Sequence, residues 1–302
     1  MATVVEELSG SVAEVAARVA PSVVGVGAGG SGFVTAPGQV VTNAHNLRGG
    51  EAVVTFADGR RVEGGAAGVD VDGDLAVISV DTGDAPALMW GAPTPRAGDA
   101  VLAFANPGGR GTRVTVGFVS ALGVAFRGPQ GRRVEGAIEH TAPLARGSSG
   151  GPLVDSQGRL IGIDTHRTGD GFYLALPADD ALRARVDSLA RGEVPTRPRL
   201  GVALAPSQVA RRLRRSVGLP ERDGLLVHGV EDAGPADRAG IRKGDLIVGV
   251  AGTAVTSADE LAAALEAADA ASPVELRVVR GADELTLAVD LGGRGTPHQG
   301  SV

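Results

Sequence analysis

Residues 147–163 read GSSGGPLVDSQGRLIGI. Two serines stand among glycines, ahead of a proline and two short aliphatic runs separated by the turn-forming SQG. Glycine serves where the backbone must take positive φ or approach another group closely. A hydroxyl held in such a loop is either part of a surface turn or a nucleophile whose surroundings the glycines shape. The residues after Ser149 read as strand, turn, strand. This is not the strand–nucleophile–helix elbow of α/β-hydrolases, so an esterase of that kind is disfavoured.

Working outward, most of the first two thirds has the same texture. SVVGVG, SGFVTA, QVVTNA, EAVVTFA, LAVISV, AVLAFA, TRVTVGFVSAL and GFYLALP are short β-rich runs, with Gly, Pro and Asp-Gly turn signals between them. Many short strands with little helix predict a barrel or sandwich. Two helices flank them. Val4, Val5, Leu8, Val12, Val15 and Val19 recur at helical spacing up to Pro21, and residues 178–191 read as a closing helix. GEVPTRPR then suggests a linker, placing a first domain at 1–192 and the linker at 193–199. A second domain comes next, at 200–292. It contains a helix over 207–219, a helix from Ser257 with a capping box to Glu260, and two closing strands. A tail at 293–302 completes the chain, and no repeat relates the halves.

Composition bounds the function. The 302 residues are 43% hydrophobic and 21% charged, with one Trp, one Tyr and six Phe, so the cores must be aliphatic. There is no cysteine, which removes disulfides and thiolate chemistry, and the five histidines show no metal-ligand spacing. The net charge of −6 argues against nucleic-acid binding. Four arginines in VARRLRRSVGL (209–219) fit the solvent face of a helix that buries Val209, Leu213 and Val217. NPGGRGTR lacks the Gly-Lys-Ser/Thr end of a phosphate loop, and no cofactor or metal is expected. The N-terminus has neither the basic start nor the apolar run of a secretory leader, and no stretch has the length of a membrane span. A cytoplasmic protein is the expectation, or a bacterial envelope protein whose leader has been removed.

A serine hydroxyl needs a base and a carboxylate to orient that base. VVTNAHNL places His45 after a strand-like run, and VDGDLAVISV places Asp74 at the mouth of another, with Asp70 and Asp72 as nearby rivals. The order His–Asp–Ser is that of chymotrypsin-like double barrels. The flanks GSGFVTAPGQVVTNAH, DLAVISV, FANPGGRGTRVTVGFVSALG and GSSGGPLVDSQGRLIGI resemble the HtrA/Deg family of serine proteases. RLGVALAP, EDAGPADRAGIRKGDLIVGVAGTAV and SADELAAAL resemble that family's PDZ domain. The resemblance runs from about Val19 to Leu291. It implies a mostly β, chymotrypsin-like double-barrel protease domain followed by an α+β PDZ domain.

Carried over by motif, His45 would be the general base, Asp74 its orienting carboxylate and Ser149 the nucleophile, with the amides of Gly147, Ser148 and Ser149 forming an oxyanion hole. Gly147 would let the loop present its amides, and Gly150 and Gly151 would allow close packing behind the serine. Ser148 stands where the family often has Asn, and TAPLARG lacks an acidic residue usual there. Leu144 and Arg167 fall on the primary specificity pocket. The family's aliphatic preference implies cleavage after Val, Ala or Leu, whereas an acidic preference would implicate Arg167. In the second domain, the loop Arg199, Leu200, Gly201, Val202 and the helix residues Leu261 and Leu265 would form a groove for C-terminal peptides. The resemblance further implies an ATP-independent endopeptidase of protein quality control acting on unfolded proteins. The alternative is a chaperone or scaffold whose protease site is inactive at rest. A homotrimer is expected, although the first 32 residues lack the aromatic contacts usual in the family.

Overall fold

A computed structural model of the chain describes residues 3–47, 49–91, 94–127, 133–169, 171–193, 199–268 and 272–291. The chain divides into two compact units, Met1–Val194 and Pro195–Val302. Most of the linker and the whole of the tail read from the sequence lie outside the described residues.

The first unit opens with α1 (Val4–Val19), which starts where Thr3 and Glu6 form a reciprocal capping box. Pro21 ends it in a single 3₁₀ turn. Six strands come next: β1 (Val23–Val26), β2 (Gly30–Ala36), β3 (Gln39–Thr42), β4 (Glu51–Thr55), β5 (Arg61–Asp70) and β6 (Leu75–Ser79). They close into a barrel in the order β1-β2-β3-β6-β5-β4. Six more, β7 (Ala100–Ala105), β8 (Arg113–Arg127), β9 (Arg133–His140), β10 (Pro152–Asp155), β11 (Leu160–Gly169) and β12 (Phe172–Pro177), close into a second barrel. Its order, β7-β8-β9-β12-β11-β10, repeats that of the first, so one topology is used twice without a repeat in the sequence.

Strand alternation explains the cores. Val24, Val34, Val40, Val54 and Ile78 fill the first barrel, and Val101, Ala103, Ile138, Leu153 and Ile161 fill the second. Their sequence neighbours point the other way. Val23, Phe33, Val41 and Val77 from the first barrel join Leu102, Phe104, Val154 and Leu160 from the second in a larger shared cluster. Val15 and Val19 of α1 enter that cluster, as do Leu182, Val186 and Leu189 of α2 (Asp180–Ala190), a helix capped by Asp179. At about 1.5–3 kcal/mol for each fully buried aliphatic side chain, this shared cluster is the principal force joining the barrels. The barrel–barrel contact is therefore rigid, and residues drawn from both sides of it can hold fixed geometry.

The second unit is a sheet of β13 (Val202–Ala205), β14 (Leu225–Val230), β15 (Leu246–Val250), β16 (Thr253–Ala254), β17 (Val274–Arg280) and β18 (Asp283–Val289). Its order is β13-β14-β15-β17-β18, with β16 pairing β15. Three helices accompany it: α3 (Ser207–Ser216), α4 (Pro235–Arg238) and α5 (Ala258–Ala267). The sequence reading of α3 needs correction. Val209, Leu213 and Val217 are exposed, while Ala210 and Arg214 are buried. Ala210 packs on Leu246, Val248 and Val279, where only a small side chain lets the helix approach the sheet. Arg214 buries its aliphatic stem and donates from Nε to the Pro220 carbonyl (2.9 Å). The helix also stops short of residue 219, because Gly218 takes φ +76° and the Gly218 and Leu219 amides bond the carbonyls of Arg215 and Arg214.

Candidate active site

Asp74 stands immediately before β6 in the left-handed region (φ +50°), which aspartate tolerates better than most residues. Its carboxylate is 3% exposed and closely partnered. His45 Nδ1 lies 2.8 and 2.9 Å from Oδ1 and Oδ2, and the His45 amide donates to Oδ1 (3.2 Å). Thr165 Oγ1 donates to Oδ2 (2.8 Å), and Asn43 Nδ2 donates to the Asp74 carbonyl (2.7 Å). An ionised carboxylate is acceptor-only, so Nδ1 carries the hydrogen, and the neutral ring in this tautomer has its lone pair on Nε2. The imidazole is 34% exposed and borders a cleft of about 380 Å³ that also touches Gly29, Gly30 and Asn46. Asp70 is committed elsewhere: it receives Arg185 Nη2 and the Gly73 amide.

Ser149 belongs to the second barrel but is anchored to the first. The Ser31 amide donates to the Ser149 carbonyl (3.1 Å), and Asn46 Nδ2 does so as well (2.8 Å). Ser31 Oγ donates to the Gly147 carbonyl (2.7 Å). Behind the serine, Gly150 N–H donates to the Asp164 carbonyl (2.7 Å), and Asp164 N–H donates to Gly151 (2.9 Å). The Ser149 hydroxyl donates to the Thr165 carbonyl (3.2 Å) rather than bonding the His45 ring. Thr165 thus meets Asp74 through its side chain and Ser149 through its carbonyl, and it joins the two sides of the site.

The loop before Ser149 turns at Ala145–Ser148, where Ser148 N–H donates to the Ala145 carbonyl (3.2 Å) and Gly147 takes φ +86°. Positive φ at the third residue is the type II requirement, and it is why glycine stands there. Space adds a second reason: a Cβ at Gly147 would lie 2.0 Å from the Gly29 carbonyl oxygen. The turn corrects one expectation. Ser148 N–H is occupied and leaves the set of available donors, whereas among the described residues the Gly147 and Ser149 amides have no protein acceptor. Leu144 is half-buried against the second barrel's interior, and Arg167 is exposed.

Thr165, Ser31 and Asn46 were not among the site residues expected. Each lies within or beside a quoted motif, but only tertiary contact reveals what it does. A second His–Asp pair was also unforeseen. His140 Nε2 lies 3.0 Å from Asp164 Oδ1, and both side chains are completely buried. Burial pushes the Asp164 carboxyl above its ordinary value, with the charge and hydrogen bond of His140 opposing it.

The second unit carries a groove of about 550 Å³ between β13 and α5. Arg199, Leu200, Gly201, Val202, Leu261 and Leu265 all line it. The Leu200 and Gly201 carbonyls accept from Ala236 and Glu231, while among the described residues the Leu200 and Gly201 amides have no protein acceptor. β13 pairs only with β14, which leaves its other edge unpaired at the end of the sheet.

Known proteins match both units. Residues 30–163 match the family model of the trypsin-like peptidase domain, and 198–291 match that of the PDZ domain. The serine protease HhoA of Synechocystis sp. is 38% identical over 275 residues, covering 86% of this chain and 69% of its own length. A DegP-like periplasmic serine endoprotease of Halomonas elongata is 32% identical over 271 residues, and there the chain spans just over half (56%) of the relative. The solved structure of the HtrA-type protease AlgW with a decapeptide superposes with TM-score 0.72 at 28% identity, covering 94% of this chain and 99% of that one. Among the described residues no helix is long and apolar enough to cross a membrane. Both domain models in order, a relative 38% identical over the aligned 275 residues and a matching solved fold place the chain in the HtrA/Deg family of trypsin-like serine proteases that carry a PDZ domain.

Proposed function

We propose that the chain is an ATP-independent serine endopeptidase of protein quality control that cleaves unfolded proteins. In this reading His45 is the general base, Asp74 fixes its tautomer and stabilises the imidazolium, and Ser149 attacks the peptide carbonyl. The Gly147 and Ser149 amides receive the oxyanion, each such donor accounting for about 10²–10³ in rate. The observation that carries the reading is the continuous link His45–Asp74–Thr165–Ser149 across the seam between the barrels. In this reading the serine hydroxyl exchanges the Thr165 carbonyl for His45 Nε2 before it attacks.

The groove of the second unit would add a peptide strand to β13 and seat its terminal carboxylate on the Leu200 and Gly201 amides. The peptide-bound AlgW structures support this for a similar fold. Val4, Val5 and Leu8 of α1 are exposed, which supports assembly of a homotrimer through the N-terminal helix. The relatives named as periplasmic favour the bacterial envelope over the cytoplasm as the working compartment.

One observation favours a second reading, a chaperone or scaffold inactive at rest: the Ser149 hydroxyl is engaged away from His45. Incubation of the chain and its Ser149→Ala variant with casein, with and without apolar C-terminal peptides, separates the two. Cleavage by the parent alone supports the endopeptidase, and stimulation by peptide supports control from the groove. No cleavage under either condition, with aggregation still suppressed, supports the scaffold.

A further inference from the structure

Two arginines flank the nucleophile, Arg146 three residues before it and Arg167 two residues after Thr165. Both are exposed, and among the described residues neither meets a carboxylate. In a chain of net charge −6, two unneutralised cations beside one serine constitute a local electropositive mouth.

Arg167 is also held in place. It sits directly across from Tyr173 in the β11–β12 ladder, and its guanidinium carbon lies 5.8 Å from the centre of that ring. Tyr173 is buried and is itself opposite His140 in the β12–β9 ladder, with the two rings stacked at 5.9 Å. His140 is in turn bonded to Asp164. The guanidinium therefore rests on a platform of fixed rings. It lies on the strand that carries Thr165, whose carbonyl bonds the nucleophile. On the other side of the serine, Leu144 packs half-buried on the interior of the same barrel.

We infer that the surface beside Ser149, between Leu144 and Arg167, selects substrates carrying a glutamate or aspartate immediately before the scissile bond, with Arg167 as the specificity-determining residue. Leu144 would receive the methylene stem, and the Arg167 guanidinium would meet the carboxylate through parallel N–H donors. Arg146 would add longer-range attraction. This rests on the serine-protease reading and departs from the aliphatic preference implied by resemblance. The physical reason is that Arg167, stacked near Tyr173 and without a carboxylate partner among the described residues, offers a substrate carboxylate a charge-assisted pair that an aliphatic side chain cannot form.

The test uses the full chain and internally quenched peptides that differ only in the residue before the cleaved bond: Glu, Val or Lys. A charge-assisted hydrogen-bonded pair predicts kcat/KM about 10- to 100-fold higher for Glu than for Val, with Lys lowest. Arg167→Ala should collapse the Glu-to-Val ratio, Arg167→Lys should restore part of it, and high salt should shrink it in the parent. Labelling of Ser149 by a fluorophosphonate reports an assembled site independently. A labelled protein that does not favour the Glu peptide, or an Arg167→Ala variant that keeps the parent ratio, overturns the inference alone. Neither labelling nor cleavage in the parent overturns the protease reading and this inference with it.

Discussion

The first unit holds two histidine–aspartate pairs of nearly the same length, 2.8 Å for His45–Asp74 and 3.0 Å for His140–Asp164, in opposite surroundings. Asp74 is buried, yet both its oxygens are satisfied by the His45 ring and amide and by Thr165, and its histidine opens to a cleft. His140 and Asp164 are sealed, and each keeps one buried polar atom, Nδ1 and Oδ2, without a hydrogen-bond partner. A carboxylate with both oxygens hydrogen-bonded is equipped to stabilise an imidazolium, whereas burial pushes the sealed, half-satisfied Asp164 carboxyl upward. The same two residue types therefore make a part-exposed pair at a cleft, which in the proposed mechanism handles the proton, and a sealed pair against which Tyr173 stacks. The surroundings of the ring decide which: His45 is part-exposed and lines an open cleft, while His140 is sealed with its Nδ1 unpartnered.

The comparison breaks most visibly through activity. Asp74→Asn keeps the shape but replaces one acceptor oxygen with a donor, which favours the wrong imidazole tautomer. Loss of about 10⁴-fold in kcat on casein, with unchanged thermal unfolding, is the expected outcome. Thr165→Val tests the bridge. It leaves one lone pair of a buried carboxylate unsatisfied, worth about 1–3 kcal/mol, and so lowers kcat by roughly 10-fold. Thr165→Ser should restore the rate and the parent pH profile. A Val variant as active as the parent would remove Thr165 from the site.

These effects differ in how much of their cause is visible in the sequence. Ser149, His45 and Asp74 could be found because each stands in a local motif: a glycine loop, a strand end and a tight turn. Capping at Ser257 was legible for the same reason, since a cap is a short-range pattern. Thr165 was not, because in GIDTHRT it reads as one more strand residue and acts only through partners 91 and 16 positions away. Nor was the doubled barrel topology, which lies in strand pairing. The α3 helix shows how a local pattern misleads. Rows 209/213/217 and 210/214 are adjacent on one helix, and hydrophobicity selects the first. The sheet instead accepts the small Ala210 and the arginine stem, so packing distance overrules the apolar count.

The smallest expected effect sharpens the contrast between the two pairs through pH. Burial raises the Asp164 carboxyl above its unfolded value of about 3.9, so the native state binds this proton more tightly than the unfolded chain does. The stability linked to that proton is fully present below the unfolded value and is lost as pH rises through the native one. Asp164→Asn removes the titration while keeping a partner for His140. The parent should therefore lose stability relative to the variant from about pH 4 upward, by an amount on the order of 1 kcal/mol. The loss should level off once the native carboxyl has ionised. Urea unfolding of the two proteins across acid and neutral pH measures this directly. A parent that instead gains stability relative to the variant as pH rises through the acid range would mean that Asp164 is already ionised in the native state, and would overturn burial as the dominant influence on it.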